Sequence, residues 1–154
     1  MTGSQPYSWQ RLIQQAEGLL SVSSNRISNA ANLSALLYQE LTDVSWVGFY
    51  FLQGGTLMLG PFQGKPACVS IELGRGVCGT AAVSGETIRV ADVEAFDGHI
   101  ACDAAARSEI VVPLYIKGDL LGVLDVDSAS VARFSASDEM GFKALAQVYL
   151  SSID

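Results

Sequence analysis

Trp9, Leu12, Ile13, Ala16, Leu19 and Leu20 recur at helical spacing, which predicts an amphipathic helix over residues 8–20. A polar link, Ser21 to Ser28, leads to a second helix over Ala30 to Leu41, with Leu33, Leu36, Leu37 and Leu41 on its inner side. Thr42-Asp43 ends it, and the period then changes. Val44 to Leu52 is aromatic and β-branched, so it reads as a strand. Gln53-Gly54-Gly55 makes a hairpin turn and Thr56 to Gly60 returns as a second strand. Pro61 to Pro66 reads as a loop, Val69 to Leu73 as a short strand and Gly74-Arg75-Gly76 as a tight turn. Val77 to Ser84 reads as a short helix of small residues and Thr87 to Val90 as a strand. Ala91 to Arg107 is long and irregular. Two strong strands, Glu109 to Ile116 and Leu120 to Val126, are joined through Lys117-Gly118-Asp119. A last helix is expected from Ser137 to Ser151. Ser135 or Ser137 caps it, and Asp138 and Glu139 suit its positive end. This order predicts an α+β fold: a central antiparallel sheet of about six strands with helices packed mainly on one face. No repeat or linker interrupts it, so residues 1–154 read as a single domain.

Composition narrows the function classes. Hydrophobic residues make up 49% and charged residues 16% of the 154, the profile of a chain with a full core. A phosphate binder needs a basic face, so the net charge of −7 argues against nucleic acid and anionic membrane as partners. No apolar run reaches membrane-spanning length. Met1 to Ser8 lacks the charged and apolar regions of an export signal, so a cytoplasmic protein with three reduced cysteines is expected.

The chemistry concentrates between Phe96 and Glu109. This polar, small-residue-rich stretch holds His99, the only histidine, and Cys102, and it feeds a buried strand. His99 and Arg107 are close enough in sequence to lower the Cys102 pKa if they point at it. Cys68 and Cys78 lie too far away for local CxxC chemistry, so any exchange among the three thiols needs the loops to fold together. Cys78, between Val77 and Gly79 at a helix start, also fits a space-filling role. A Cys3His zinc set with His99 is a competing reading. Cys68 and Cys78 are ten apart, not two to four, so no metal is expected.

Asp125 and Asp127 are two apart on a strand and share a face, which Leu121 and Val123 are expected to share too. Two acids there are costly unless something cationic or hydrogen-bonded meets them. If the hairpin loop is Lys117-Gly118-Asp119, Glu109 lies opposite Asp127 and joins them. If the loop is only Lys117-Gly118, Glu109 faces away unless a bulge near Pro113 restores it. Trp46 and Tyr50 share a face with Gly48, which would leave a slot between two rings for a small apolar group. Gly74, Gly76 and Gly79 around Cys78 would let backbone amides approach a ligand carboxylate.

The order of elements, Val77-Cys78-Gly79, Val111 to Ile116, Leu120 to Ser128 and Phe134-Ser135-x-x-Asp138 together resemble a GAF domain over nearly the whole chain. Four blocks are similar to a narrower group, the free methionine-(R)-sulfoxide reductases: Trp46 to Tyr50, Leu59 to Cys68, Gly74 to Ala81 and Gly98 to Asp103. The resemblance implies that Cys102 is the attacking cysteine, Cys68 the main resolver and Cys78 a second thiol open to exchange. It places the family's acidic residues on Glu109, Asp125 and Asp127, and makes Trp46 and Tyr50 a substrate wall. It implies no bound cofactor, thioredoxin as external reductant, and a homodimer through the first and last helices. The competing classes are a ligand-binding GAF sensor and a redox sensor without catalysis.

Overall fold

The computed structural model describes residues 8–98 and 105–154. Its elements are α1 (Trp9–Leu20), α2 (Arg26–Glu40), β1 (Trp46–Gln53), β2 (Thr56–Gln63), β3 (Ser70–Glu72), α3 (Gly76–Ser84), β4 (Ile88–Val90), a 3-10 turn (Val93–Ala95), β5 (Ser108–Ile116), β6 (Asp119–Ser128) and α4 (Ala136–Ser152). The strands form one antiparallel sheet in the order β3-β2-β1-β6-β5-β4. The α+β expectation is met.

Alternation along the central strands divides the interior in two. Val47 and Phe49 of β1, Ile110, Val112 and Leu114 of β5, and Leu124 and Val126 of β6 pack with the apolar sides of α1, α2 and α4. Trp46 and Tyr50, Val111 and Val123 point the other way and pack with Val77, Cys78, Ala81 and Ala82 of α3. Three helices therefore cover one face, and α3 with its flanking loops covers the other. This is why β1 and β6 carry long apolar runs instead of a polar alternation.

Local chemistry sets the ends of the helices. The Asn25 side chain accepts from the amides of Ile27 and Ser28, so α2 starts at Arg26 rather than Ala30. Ser135 caps α4 in a reciprocal capping box with Asp138. Asp138 also accepts from the Trp9 indole at 3.1 Å and pairs with Arg133 at 3.0 Å, which ties α1 to the start of α4.

Two bulges depart from the simple strand pattern. In β2, Gly60 and Pro61 together face Phe49, because Gly48 pairs with Phe62 and Tyr50 with Leu59. The bulge accommodates a proline that has no amide to donate, so β2 runs on to Gln63 where a loop was expected from Pro61. In the β5–β6 hairpin, Ile116 pairs with Asp119, so the loop is only Lys117-Gly118. Both have positive φ, 51° and 85°, as a two-residue hairpin turn requires. Leu114 then pairs with Gly122 and Tyr115 with Leu120, leaving Leu121 as an extra residue. That bulge restores the register, and Glu109 lies opposite Asp127. It also turns Leu121 to the three-helix side, contrary to expectation, and Leu120 to the α3 side.

Candidate active site

On the α3 side, three adjacent strands present one row each. β1 contributes Trp46, Gly48 and Tyr50. β6 contributes Asp127, Asp125 and Val123, directly opposite them. β5 contributes Glu109 and Val111, opposite Asp127 and Asp125. The expected carboxylates are thus brought together, and only 7%, 5% and 8% of Glu109, Asp125 and Asp127 remains exposed. Cys78 comes down on them from α3. Its thiol lies 3.9 Å from Glu109 Oε2 and donates weakly toward it. One donor atom each of Cys78, Glu109 and Asp125 lies within 4.8 Å of the other two.

Burial and like charge set the protonation of this cluster. Asp125 is pushed well above the ordinary carboxyl range, first by burial and then by Asp127 and Glu109. Its Oδ1 is buried with no hydrogen-bond partner. The Cys78 thiol is likewise pushed up, by burial, then by Asp125 and Glu109. Burial, reinforced by Asp125, raises the Tyr50 phenol as well, so that it remains a donor.

The aromatic wall anchors the loop that carries Cys68. Tyr50 Oη donates to the Cys68 carbonyl at 3.0 Å, and the Trp46 indole donates to the Lys65 carbonyl at 3.1 Å. Trp46 stacks on Tyr50 and on Phe62, with ring centroids 6.0 and 5.2 Å apart. Phe62 was not anticipated, because Pro61 disguised its stretch as a loop. The expected slot at Gly48 is not open. A Cβ there would lie 2.4 Å from the Phe62 Cβ and 2.7 Å from the Trp46 ring, so the glycine makes room for the wall itself.

The glycines near Cys78 divide their roles. Gly79 allows close packing: a Cβ would lie 2.5 Å from the Glu72 carbonyl. Gly74 and Gly76 have positive φ, 83° and 65°, and turn the chain into α3. No side chain caps α3, so the amides of its first turn are not taken up by one.

The thiols are not equivalent. Cys68 is disulfide-bonded, whereas Cys78 is a free, buried thiol. The expectation of three reduced cysteines is corrected on this point: folding, not sequence spacing, brings the bonded sulfurs together. A disulfide sulfur is not a thiolate ligand, so the Cys3His zinc set loses Cys68 as well. His99 and Cys102 lie outside the described residues. Arg107 faces other partners, 3.9 Å from both Asp92 and Glu94. No helix among the described residues is long and apolar enough to cross a membrane.

The acid cluster and the aromatic wall thus sit on the sheet face covered by α3, opposite the face covered by α1, α2 and α4. Residues 25–149 match the GAF domain model. The chain is 54% identical over 127 residues to the free methionine-R-sulfoxide reductase of Escherichia coli, covering 82% of this chain and 77% of that protein. It is 44% identical over 147 residues to the Saccharomyces cerevisiae protein of the same name, covering 90% and 82%. The solved structure of fRMsr of Staphylococcus aureus in complex with substrate superposes with a TM-score of 0.93 at 42% identity, covering 99% of this chain and all of that one. The chain belongs to the GAF domain family and, within it, to the free methionine-R-sulfoxide reductases, as its sequence motifs implied.

Proposed function

We propose that this protein reduces free L-methionine-(R)-sulfoxide to methionine, using its own thiols and recycling by thioredoxin. The observation that carries the reading is the buried set of Glu109, Asp125 and Asp127 facing the Trp46–Tyr50 wall. An amino acid brings an α-ammonium for the acids and an apolar S-methyl end for the rings. Relatives of the same name, and the substrate complex of the Staphylococcus aureus protein, support the substrate class.

In this mechanism the Cys102 thiolate attacks the sulfoxide sulfur. The sulfur–oxygen bond breaks, the oxygen passes to Cys102 as a sulfenic acid, and methionine leaves. The proton required comes from the acid cluster. Asp125 suits that role, because a carboxyl held protonated near neutral pH is an efficient donor. The Cys68 thiol then displaces water from the sulfenic acid and forms a Cys68–Cys102 disulfide. Thioredoxin dithiol reduces it and takes up the disulfide. The net reaction converts one sulfoxide and one dithiol into methionine, one disulfide and water. Cys78, a buried and protonated thiol, hydrogen-bonds and shapes the pocket, and it joins the exchange only as a secondary resolver. The uncapped start of α3 suits the substrate carboxylate.

The reading includes a cytoplasmic setting, where thioredoxin operates, and a homodimer through the first and last helices. The apolar sides of α1 and α4 already contribute to one core within the protomer, so such an interface would use their outer rows. Light scattering at low concentration tests it, and a monomer there contradicts it. Incubation with free methionine-(R)-sulfoxide and thioredoxin, with methionine quantified, tests the activity. Cys102→Ser should abolish turnover with its circular dichroism unchanged. Turnover near the wild-type rate in that variant would remove Cys102 from the mechanism.

A further inference from the structure

Cys78, Glu109 and Asp125 project from α3, β5 and β6, three elements packed in one core. Their donor atoms, one sulfur and two carboxylate oxygens, all lie within 4.8 Å of one another. Acids and a thiol gathered in this way do not by themselves define a site. Asp125 supplies a second observation: it is 95% buried by its 5% exposure, and its Oδ1 has no hydrogen-bond partner. A buried carboxylate oxygen left in that condition costs stability unless a ligand satisfies it.

We infer that Cys78, Glu109 and Asp125 form a binding site for a thiophilic divalent cation, with Zn2+ the best match. Zinc takes sulfur at about 2.3 Å and carboxylate oxygen at about 2.0–2.2 Å, and the three donor atoms, within 4.8 Å of one another, are near enough to share one ion. The thiolate discriminates against magnesium and calcium, which take oxygen ligands. Three protein ligands leave a fourth coordination position open, so the metal is exchangeable rather than structural. Binding displaces the thiol proton: Cys78–SH and the cation give the Cys78 thiolate complex and one proton released to solvent. The metal would occupy the place proposed for the substrate ammonium, so cation and substrate exclude each other.

The test uses the full-length protein in its disulfide form, in which Cys68 is bonded and Cys78 is the free thiol. Co2+ added to it should raise a thiolate-to-cobalt charge-transfer band that saturates at a single equivalent, and Zn2+ should erase the band. Cys78→Ser should lose the band. Asp125→Asn should weaken cobalt binding at least about tenfold. Glu109→Gln gives the same readout should the asparagine variant fail to fold. No band in the wild-type protein, or a band that survives Cys78→Ser, overturns the site. Free methionine-(R)-sulfoxide should lower the band in the loaded protein; this arm alone rests on the proposed function. Cobalt bound by the trio but indifferent to the sulfoxide would count against the substrate reading and leave the metal site standing.

Discussion

Gly48 of β1 lies directly opposite Asp125 of β6, with the Trp46 ring folded over it and Phe62 against it. The glycine lets the aromatic wall sit flush beside the acid cluster. A methyl group there would have to displace Phe62 or the Trp46 ring, since either would be within 2.7 Å. Gly48→Ala should therefore destabilise the fold by about 1–3 kcal/mol, the usual cost of overpacking. It should also raise KM for free methionine sulfoxide more than it lowers kcat. Thermal unfolding and steady-state kinetics check the two parts separately.

Asp125→Asn should lower turnover by about a hundredfold or more if this carboxyl donates the proton. Its effect on stability runs the other way. The Asp125 carboxyl is raised well above 3.8 in the folded protein, so between those values the folded state holds a proton that the unfolded state has lost. Stability must then fall as pH rises from 3.8 toward the folded pKa. The asparagine variant escapes that loss. Its melting temperature relative to wild type should improve from pH 5 toward neutrality, and a constant difference across that range would remove Asp125 as a strained acid.

Cys78 should resist alkylation. Burial and the nearby acids raise its thiol well above an ordinary value of 9.0. Since thiolate is the reactive form, iodoacetamide at pH 8 should label native disulfide-form protein at least about tenfold more slowly than the denatured chain. Rapid labelling of the native form, read by mass spectrometry, would mean that the pocket is open or the thiol ionised.

Much of this site was legible because its residues contradict their setting. Asp125 inside Leu124-Asp125-Val126 is a charge in a buried strand, and period-two spacing puts Asp127 beside it. The place of Glu109 was open, because it depended on one bulge. A bulge arises from the competition between turn geometry and side-chain burial across two strands, and neither strand's composition encodes it. The hairpin adopts the two-residue turn favoured by strand twist, and the extra residue at Leu121 corrects the register. Phe62 was hidden for a similar reason: Pro61 signals a loop, yet a bulge lets the strand continue through it. The start of α2 was misplaced because Asn25 capping outweighs the polar serine-rich stretch around it.

The bulge supplies its own prediction. Deleting Leu121 should remove the extra residue and let Leu114–Gly122 and Tyr115–Leu120 close into a regular ladder, with Glu109 still opposite Asp127. The variant should keep its activity and unfold at lower temperature, because Leu121 packs against the three-helix core. Lost activity would mean that the local twist of the bulge, and not the register alone, aims Glu109.

The most direct measurement compares free methionine-(R)-sulfoxide with the same residue N-acetylated and amidated. Three buried acids on one sheet face suit a substrate ammonium, and blocking the amine removes that charge. The free amino acid should be turned over, and the blocked one hardly at all. Equal rates on the two substrates, or no turnover of the free one, would contradict the account.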